Sequence, residues 1–118
     1  MEFKYVKENN LLVRQSEASK IVEKYPQRIP VICERDPTST LEEITKTKYL
    51  VPFDMTVSQF SFIIRKKLRL TKESALFFLV DGKISIVGNQ TMSEIYQLHK
   101  NKDDGFLYIA YSSQLTWG

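Results

Sequence analysis

Sulfur and imidazole are scarce in this sequence: 118 residues contain one cysteine, Cys33, and one histidine, His99. A lone cysteine excludes an internal disulfide, and the missing cysteine framework suits a reducing compartment. One Cys and one His are also too few for a zinc site. As a nucleophile and base they would have to lie side by side and partly exposed. Cys33 instead falls inside an apolar strand pattern, where a free cysteine packs as a small hydrophobe, so no catalytic residue is expected. Four glycines and four prolines are too few for a hinge or linker, and no glycine loop cradles a phosphate. No window approaches the roughly 18 apolar residues of a membrane span. The start, Met1-Glu2-Phe3-Lys4-Tyr5-Val6-Lys7, lacks the apolar stretch of a signal peptide. The expectation is a soluble chain that reaches a membrane only through a partner or a covalent lipid.

What is present is an ordinary globular mix, 42% hydrophobic and 26% charged, suited to one domain with its own core. The net charge is +3. That favours acidic partners but is no nucleic-acid binder's profile, and no nucleic-acid partner or cofactor is expected.

Helical periodicity runs from Leu11 to Lys24, with Leu11, Ala18, Val22 and Tyr25 on the expected core stripe, Ile21 on its flank, and Pro26 as the stop. Arg28 to Glu34 is a strand pattern whose two faces are both apolar, Ile29, Val31 and Cys33 against Pro30 and Ile32. A sheet with one wet face would alternate, so the second face is either covered or a binding surface; Pro30 suggests an edge strand. A second strand, Lys48 to Pro52, repeats the two-faced pattern. Thr56 and Gln59 form a capping box that opens a helix to about Leu70, its core face Val57, Phe60, Ile64 and Leu68. Phe62 points away from that face, toward a binding surface or under N-terminal helices. Ala75–Val80 is a buried strand, Asp81-Gly82 a turn, Ser93–Lys100 a short helix, and Phe106–Tyr111 a last strand. A hairpin, a helix crossing over and further strands follow the α+β, β-grasp order, with the last strand placed centrally beside the first.

Arg65 to Lys72 is a basic run, read either as a solvated helix face or as a guide for acidic peptides. Lys46 and Lys48 flank an apolar edge pattern. It suits strand addition by a peptide or, equally, an ordinary strand beneath a helix. Gly118 has no Cβ to obstruct attack at its carbonyl, and Trp117 beside it could anchor a tail.

Several strings together resemble the autophagy ubiquitin-like modifiers, the GABARAP and light-chain-3 group, over nearly the whole chain and closest to the GABARAP branch. They are Lys24-Tyr25-Pro26-Gln27-Arg28-Ile29-Pro30-Val31-Ile32, Lys48-Tyr49-Leu50-Val51-Pro52, Phe60-x-Phe62-Ile63-Ile64-Arg65-Lys66, Ala75-Leu76-Phe77-Phe78, Phe106 to Ser112, and Trp117-Gly118. The resemblance implies a ubiquitin-like β-grasp with two additional N-terminal helices. It divides the chain into an extension (1–25), a core (26–112) and a flexible tail (113–118). It implies conjugation of Gly118 to phosphatidylethanolamine, with a processing cysteine protease and activating and conjugating enzymes as partners. The chain would be cytoplasmic, and on autophagosomal membranes when lipidated. The family also takes aromatic-x-x-aliphatic peptides of cargo receptors and autophagy factors. Carried over, the aromatic pocket is Glu17, Ile21, Pro30, Ile32, Lys48, Leu50 and Phe106. The aliphatic pocket is Tyr49, Val51, Pro52, Met55, Phe60 and Ile63, and the charged guides are Arg28, Lys46, Lys48 and Lys67. A second family surface maps to Leu76, Phe77 and Phe78. The alternative is an unconjugated adaptor for receptor tails or tubulin. Departures from the family pattern include Gln27, Thr47, Phe53, Lys67 for the usual arginine, a turn without prolines at 81–86, and Trp117 for Phe or Tyr.

Overall fold

A computed structural model describes residues 1–115. Two short N-terminal helices, α1 (Lys4–Glu8) and α2 (Leu11–Lys24), precede a sheet of five strands, β1 (Arg28–Arg35), β2 (Lys48–Pro52), β3 (Phe77–Val80), β4 (Ile84–Ile86) and β5 (Leu107–Ser112). Helices α3 (Val57–Leu68) and α4 (Met92–His99) complete the chain order. The sheet order is β2-β1-β5-β3-β4. β1 and β5 run parallel, and the other pairs are antiparallel.

The best-specified element is α3. The Thr56 hydroxyl accepts from the Gln59 amide at 3.2 Å while the Gln59 side chain accepts from the Thr56 amide at 2.9 Å. Two orphan donors of the first turn are thereby satisfied. The helix ends at Arg69, in the left-handed conformation at φ 56°. Val57, Phe60 and Ile64 are buried against the sheet, and Leu68 packs half-buried beside them.

Two cores explain why β1 and β5 are apolar on both faces. One face, with Ile29, Val31, Cys33, Leu107, Ile109 and Tyr111, packs under α3 and α4. The other, with Ile32, Phe106, Tyr108 and Ala110, is closed by Phe3, Tyr5 and Ala18 of the N-terminal segment. Phe3 meets Tyr108 and Tyr5 meets Phe106 edge-on, each at 5.1 Å between ring centroids, a favoured aromatic geometry. α1 is only five residues long and is fastened from outside. The buried Glu34 carboxylate accepts the Lys4 amide at 2.7 Å and the Tyr5 amide at 3.0 Å.

Two expectations are corrected. The stripe Leu11, Ala18, Val22, Tyr25 is not a core stripe: Ala18 is buried, while the other three are more than 40% exposed. The helix touches the sheet layer through Ala18 and the half-buried Ile21, so its contact face is turned toward the flank. The small side chain of Ala18 also lets the Gly105 loop approach it. β1 is not an edge strand, since β2 and β5 flank it. Pro30 is tolerated because the register with β5 begins only at Val31, leaving its missing donor outside that ladder. The free edge on this side of the sheet is β2.

Candidate docking site

Backbone geometry on β2 follows from its register. Cys33 N–H donates to the Thr47 carbonyl at 2.8 Å and Phe53 N–H to the Gln27 carbonyl at 3.0 Å. Opposed antiparallel pairs alternate between bonded and non-bonded, so Val31–Tyr49 and Ile29–Val51 are bonded pairs. Ile32–Lys48, Pro30–Leu50 and Arg28–Pro52 are the non-bonded ones. The amides and carbonyls of Lys48 and Leu50 therefore face outward along the free edge. Pro52 offers no outward donor and limits any added strand there. One outward group is already in use: the Arg28 guanidinium donates to the Leu50 carbonyl at 3.1 Å.

Side chains on β2 divide the same way. Tyr49 and Val51 point into the main core, while Lys48, Leu50 and Pro52 face the N-terminal helices and are half-buried. Between β2 and α2 lies a groove of about 520 Å³ lined by Glu17, Lys20, Ile21, Lys46, Lys48 and Leu50. Pro30, Ile32 and Phe106 are fully buried and are not among the residues that line it. The Glu17 carboxylate and the Lys48 ammonium are paired across it.

The second set of residues separates into depth levels. Tyr49, Val51 and Phe60 are core residues, whereas Pro52, Met55 and Ile63 are half-buried and reachable. Two ammonium groups converge on the Tyr49 ring, Lys46 at 5.0 Å and Lys67 at 5.8 Å from its centroid. Each can interact with the ring face, and together they place positive charge between the two halves of the edge. The expected guides Arg28, Lys46, Lys48 and Lys67 thus all border β2. Arg28 and Lys48 are engaged within the protein.

Comparison with known proteins settles what carries this edge. Residues 13–118 match the family model described as "Autophagy protein Atg8 ubiquitin like". The chain belongs to the Atg8 family. "Autophagy-related protein 8" of Coccidioides immitis is 47% identical over 118 residues, covering 100% of this chain and 99% of that one. "Autophagy-related protein 8" of Kluyveromyces lactis is 50% identical over 105 residues, 89% of this chain and 83% of that one. The crystal structure of Trypanosoma brucei ATG8 superposes with a TM-score of 0.90 at 39% identity over all of both chains. The fold is accordingly the ubiquitin-like α+β fold, and the protein is a ubiquitin-like autophagy modifier.

Elsewhere in this Atg8-family chain, Cys33 has no solvent exposure. Burial, and then the neighbouring Glu34 charge, push its thiol far above the usual range, which is the opposite of an activated nucleophile. His99 ends α4 half-buried, and its charge acts on Asp81. Among the described residues, no three His, Cys, Asp or Glu side chains gather as a metal site. No described helix is long and apolar enough to cross a membrane.

The described part of the tail is held. Ser113 bonds to Ser39, and the Gln114 amide group donates to the Thr38 carbonyl. Leu115 enters a second groove of about 580 Å³ with Phe62, Leu76, Phe77, Phe78 and Val87. Phe62 is 60% exposed there; it lines this groove with residues of α3, β3 and β4. Leu76, Phe77 and Phe78 all line this groove. Trp117 and Gly118 lie outside the described residues. Sequence reasoning missed Lys20 as a groove residue and Tyr5 behind the groove. No periodicity marks either, though their placement follows once α1 and α2 cover the sheet.

Proposed function

We propose that this chain acts as a modifier joined through Gly118 to phosphatidylethanolamine and holds aromatic-x-x-aliphatic peptides of cargo receptors and autophagy factors on its β2 edge. The core 26–112 supplies the edge, the extension 1–25 supplies Glu17, Lys20 and Ile21 to the groove, and the tail 113–118 carries the conjugation point. The observation that carries the docking half is the β2 edge itself. The outward amides of Lys48 and Leu50 and the Lys48 carbonyl offer main-chain hydrogen bonds, with a groove to one side for the aromatic residue. Pro52, Met55 and Ile63 take the aliphatic residue. Lys46 and Lys67 meet acidic residues beside the motif. Nothing in this scheme asks the chain for catalysis; a processing protease and activating and conjugating enzymes supply it, and the inert Cys33 agrees. The lipidated form belongs on autophagosomal membranes and the free form in the cytoplasm.

Two measurements test the proposal. Intact mass of the full chain from cells with the conjugation machinery is expected to show a phospholipid adduct that Gly118→Ala abolishes; an adduct on that variant refutes conjugation through Gly118. Absence of any adduct with peptide binding retained turns the reading to an unconjugated adaptor for receptor tails or tubulin. A Trp-x-x-Leu peptide with acidic flanks is expected to shift NMR signals of Lys48, Leu50 and Ile63; shifts confined to β3 and β4 refute the pocket assignment.

A further inference from the structure

Past β5 the chain does not leave the body at once. Ser112, the last residue of β5, is buried beside Phe77. Its hydroxyl donates to the Gln114 carbonyl at 2.8 Å and accepts from the Gln114 amide at 3.2 Å, which bends the tail within two residues. The 36–40 loop then grips it. The buried Ser39 hydroxyl accepts from the Ser113 amide at 3.2 Å, and the Thr40 amide donates to the Ser113 hydroxyl at 3.2 Å. The Gln114 side chain reaches the Thr38 carbonyl at 3.3 Å. The loop itself is braced. The Asp36 carboxylate accepts from the Thr38 amide and hydroxyl at 2.9 and 2.7 Å, and the Asp36 amide donates to the Tyr111 carbonyl of β5 at 2.8 Å. Bent this way, the tail sets a half-buried Leu115 in the groove with Phe62, Phe77 and Val87. Phe62 and Val87 are each 60% exposed, so the apolar side chain that shares their groove is one from the chain's own tail.

We propose that the 36–40 loop and this groove form a clasp that stows the tail, with Leu115 as its latch, and that the latch opens before an enzyme acts on Gly118. This rests on the conjugation reading. Covalent geometry sets the scale, since an extended chain spans at most about 3.5 Å per residue. Three residues follow Leu115, so a closed latch limits the reach of Gly118 to about 10 Å from it. With the clasp open, the six residues after Ser112 reach about 20 Å from the sheet. A catalytic centre at the end of a channel deeper than the shorter reach meets Gly118 only in the open state. Hydrogen bonds at the surface are worth little, because water replaces them. The half-burial of one leucine therefore decides the balance, and a latch of that strength opens readily. An enzyme that holds the extended tail favours the open state and empties the groove with it. Tail extension and exposure of Phe62 and Val87 are one event.

The test compares the full chain with Leu115→Ser and Phe62→Ala, the second of which leaves the tail sequence unchanged. Carboxypeptidase Y, which takes an extended C-terminus, trims the tail, and intact mass follows the loss of Gly118 and then Trp117. Each variant is expected to trim roughly fivefold faster than the parent. The double variant is expected to trim no more than about twofold faster than either single one, because both remove the same contact. In cells with the conjugation machinery, Phe62→Ala is expected to gain the phospholipid adduct faster than the parent. Trimming of Phe62→Ala at the parent rate overturns the latch, and so does a double variant in which the two effects multiply. Faster trimming with an unchanged rate of adduct formation overturns the gate. A parent chain that gains no adduct fails the conjugation reading and the gate with it, whereas the trimming rates test the latch without any conjugation.

Discussion

Replacing Leu50 by proline separates strand addition from simple pocket filling. The Leu50 amide faces outward, since Pro30–Leu50 is a non-bonded pair, so Leu50→Pro removes no bond between β2 and β1. The strand already carries a proline on the same outward-facing set, Pro52. Leu50→Ala is the reference, because it removes the same apolar lining and keeps the amide. The two variants should then melt close together. Unfolding entropy is about 2.1 cal/mol/K per residue, or roughly 0.25 kcal/mol/K for a chain of 118 residues. A residual backbone cost of up to about 1 kcal/mol therefore lowers the Tm of Leu50→Pro by no more than about 4 °C. Val51→Pro breaks a bonded pair with Ile29 and buries the defect, since Val51 is 3% exposed. It should lower the Tm well beyond either variant. For the peptide, the lost outward donor is worth about 1 kcal/mol, or roughly fivefold in Kd beyond Leu50→Ala. Calorimetric titration of a Trp-x-x-Leu peptide alongside thermal melts measures both quantities. Equal Kd for Leu50→Pro and Leu50→Ala would refute main-chain pairing along β2. Comparable melts for Leu50→Pro and Val51→Pro would refute the assignment of outward groups.

Three further outcomes are expected. Asp104, its side chain fully buried, accepts from Arg14 Nε at 2.9 Å, the Phe106 amide at 2.9 Å and the Tyr108 hydroxyl. Asp104→Ala leaves the largely buried Arg14 guanidinium without its counter-charge, holding only the Asn9 carbonyl, and should cost about 3 kcal/mol in urea unfolding; a loss below about 1 kcal/mol would show that the Asn9 contact and solvent suffice for Arg14. Iodoacetamide should label Cys33 in the folded protein at least about a thousandfold more slowly than in the unfolded chain, because the thiol reacts only on opening. Labelling at the free-thiol rate would contradict that burial. Burial raises the Asp81 carboxyl, against the lowering effect of His99 and then Lys83, and its φ of 56° suits asparagine. A raised folded pKa means the folded state holds its proton more tightly. The stability penalty therefore grows as pH rises past the unfolded value and is complete above the folded one. Asp81→Asn should raise the Tm at pH 7 and lose that advantage at acidic pH; an advantage independent of pH would assign it to backbone preference alone.

Local chemistry decided how much could be read in advance. The Thr56–Gln59 box marks α3 because both partners lie within four residues of each other, and β1, β2 and β5 declare themselves by runs of apolar residues. The five-residue α1 has no period to detect, and its capping acceptor, Glu34, lies thirty residues from Lys4. The three-residue β4 went unread because Ile84 and Ser85 are exposed, leaving no alternation. The α2 face was misjudged because Leu11 and Val22 are apolar yet exposed, while a single alanine makes the buried contact. Pro30 pointed to an edge because a missing donor says nothing about which neighbour lacks it. In the candidate site, the lysines beside β2 were legible as charge next to an apolar strand. The packing of Tyr5 against Phe106 was not, because it depends on α1 folding back over β5.

The parallel pairing of β1 with β5 has a mechanical side. β5 leads directly into the tail, and β1 lies between β5 and the β2 edge. The register runs along five consecutive positions, Val31–Leu107 to Arg35–Tyr111. A pull on the tail against a load held on β2 runs along these strands, so the ladder bonds are sheared together instead of being peeled one at a time. A chain tethered by its end and loaded on its edge would carry tension through the best-buried part of its sheet, and β3 and β4, on the far side of β5, would stay slack.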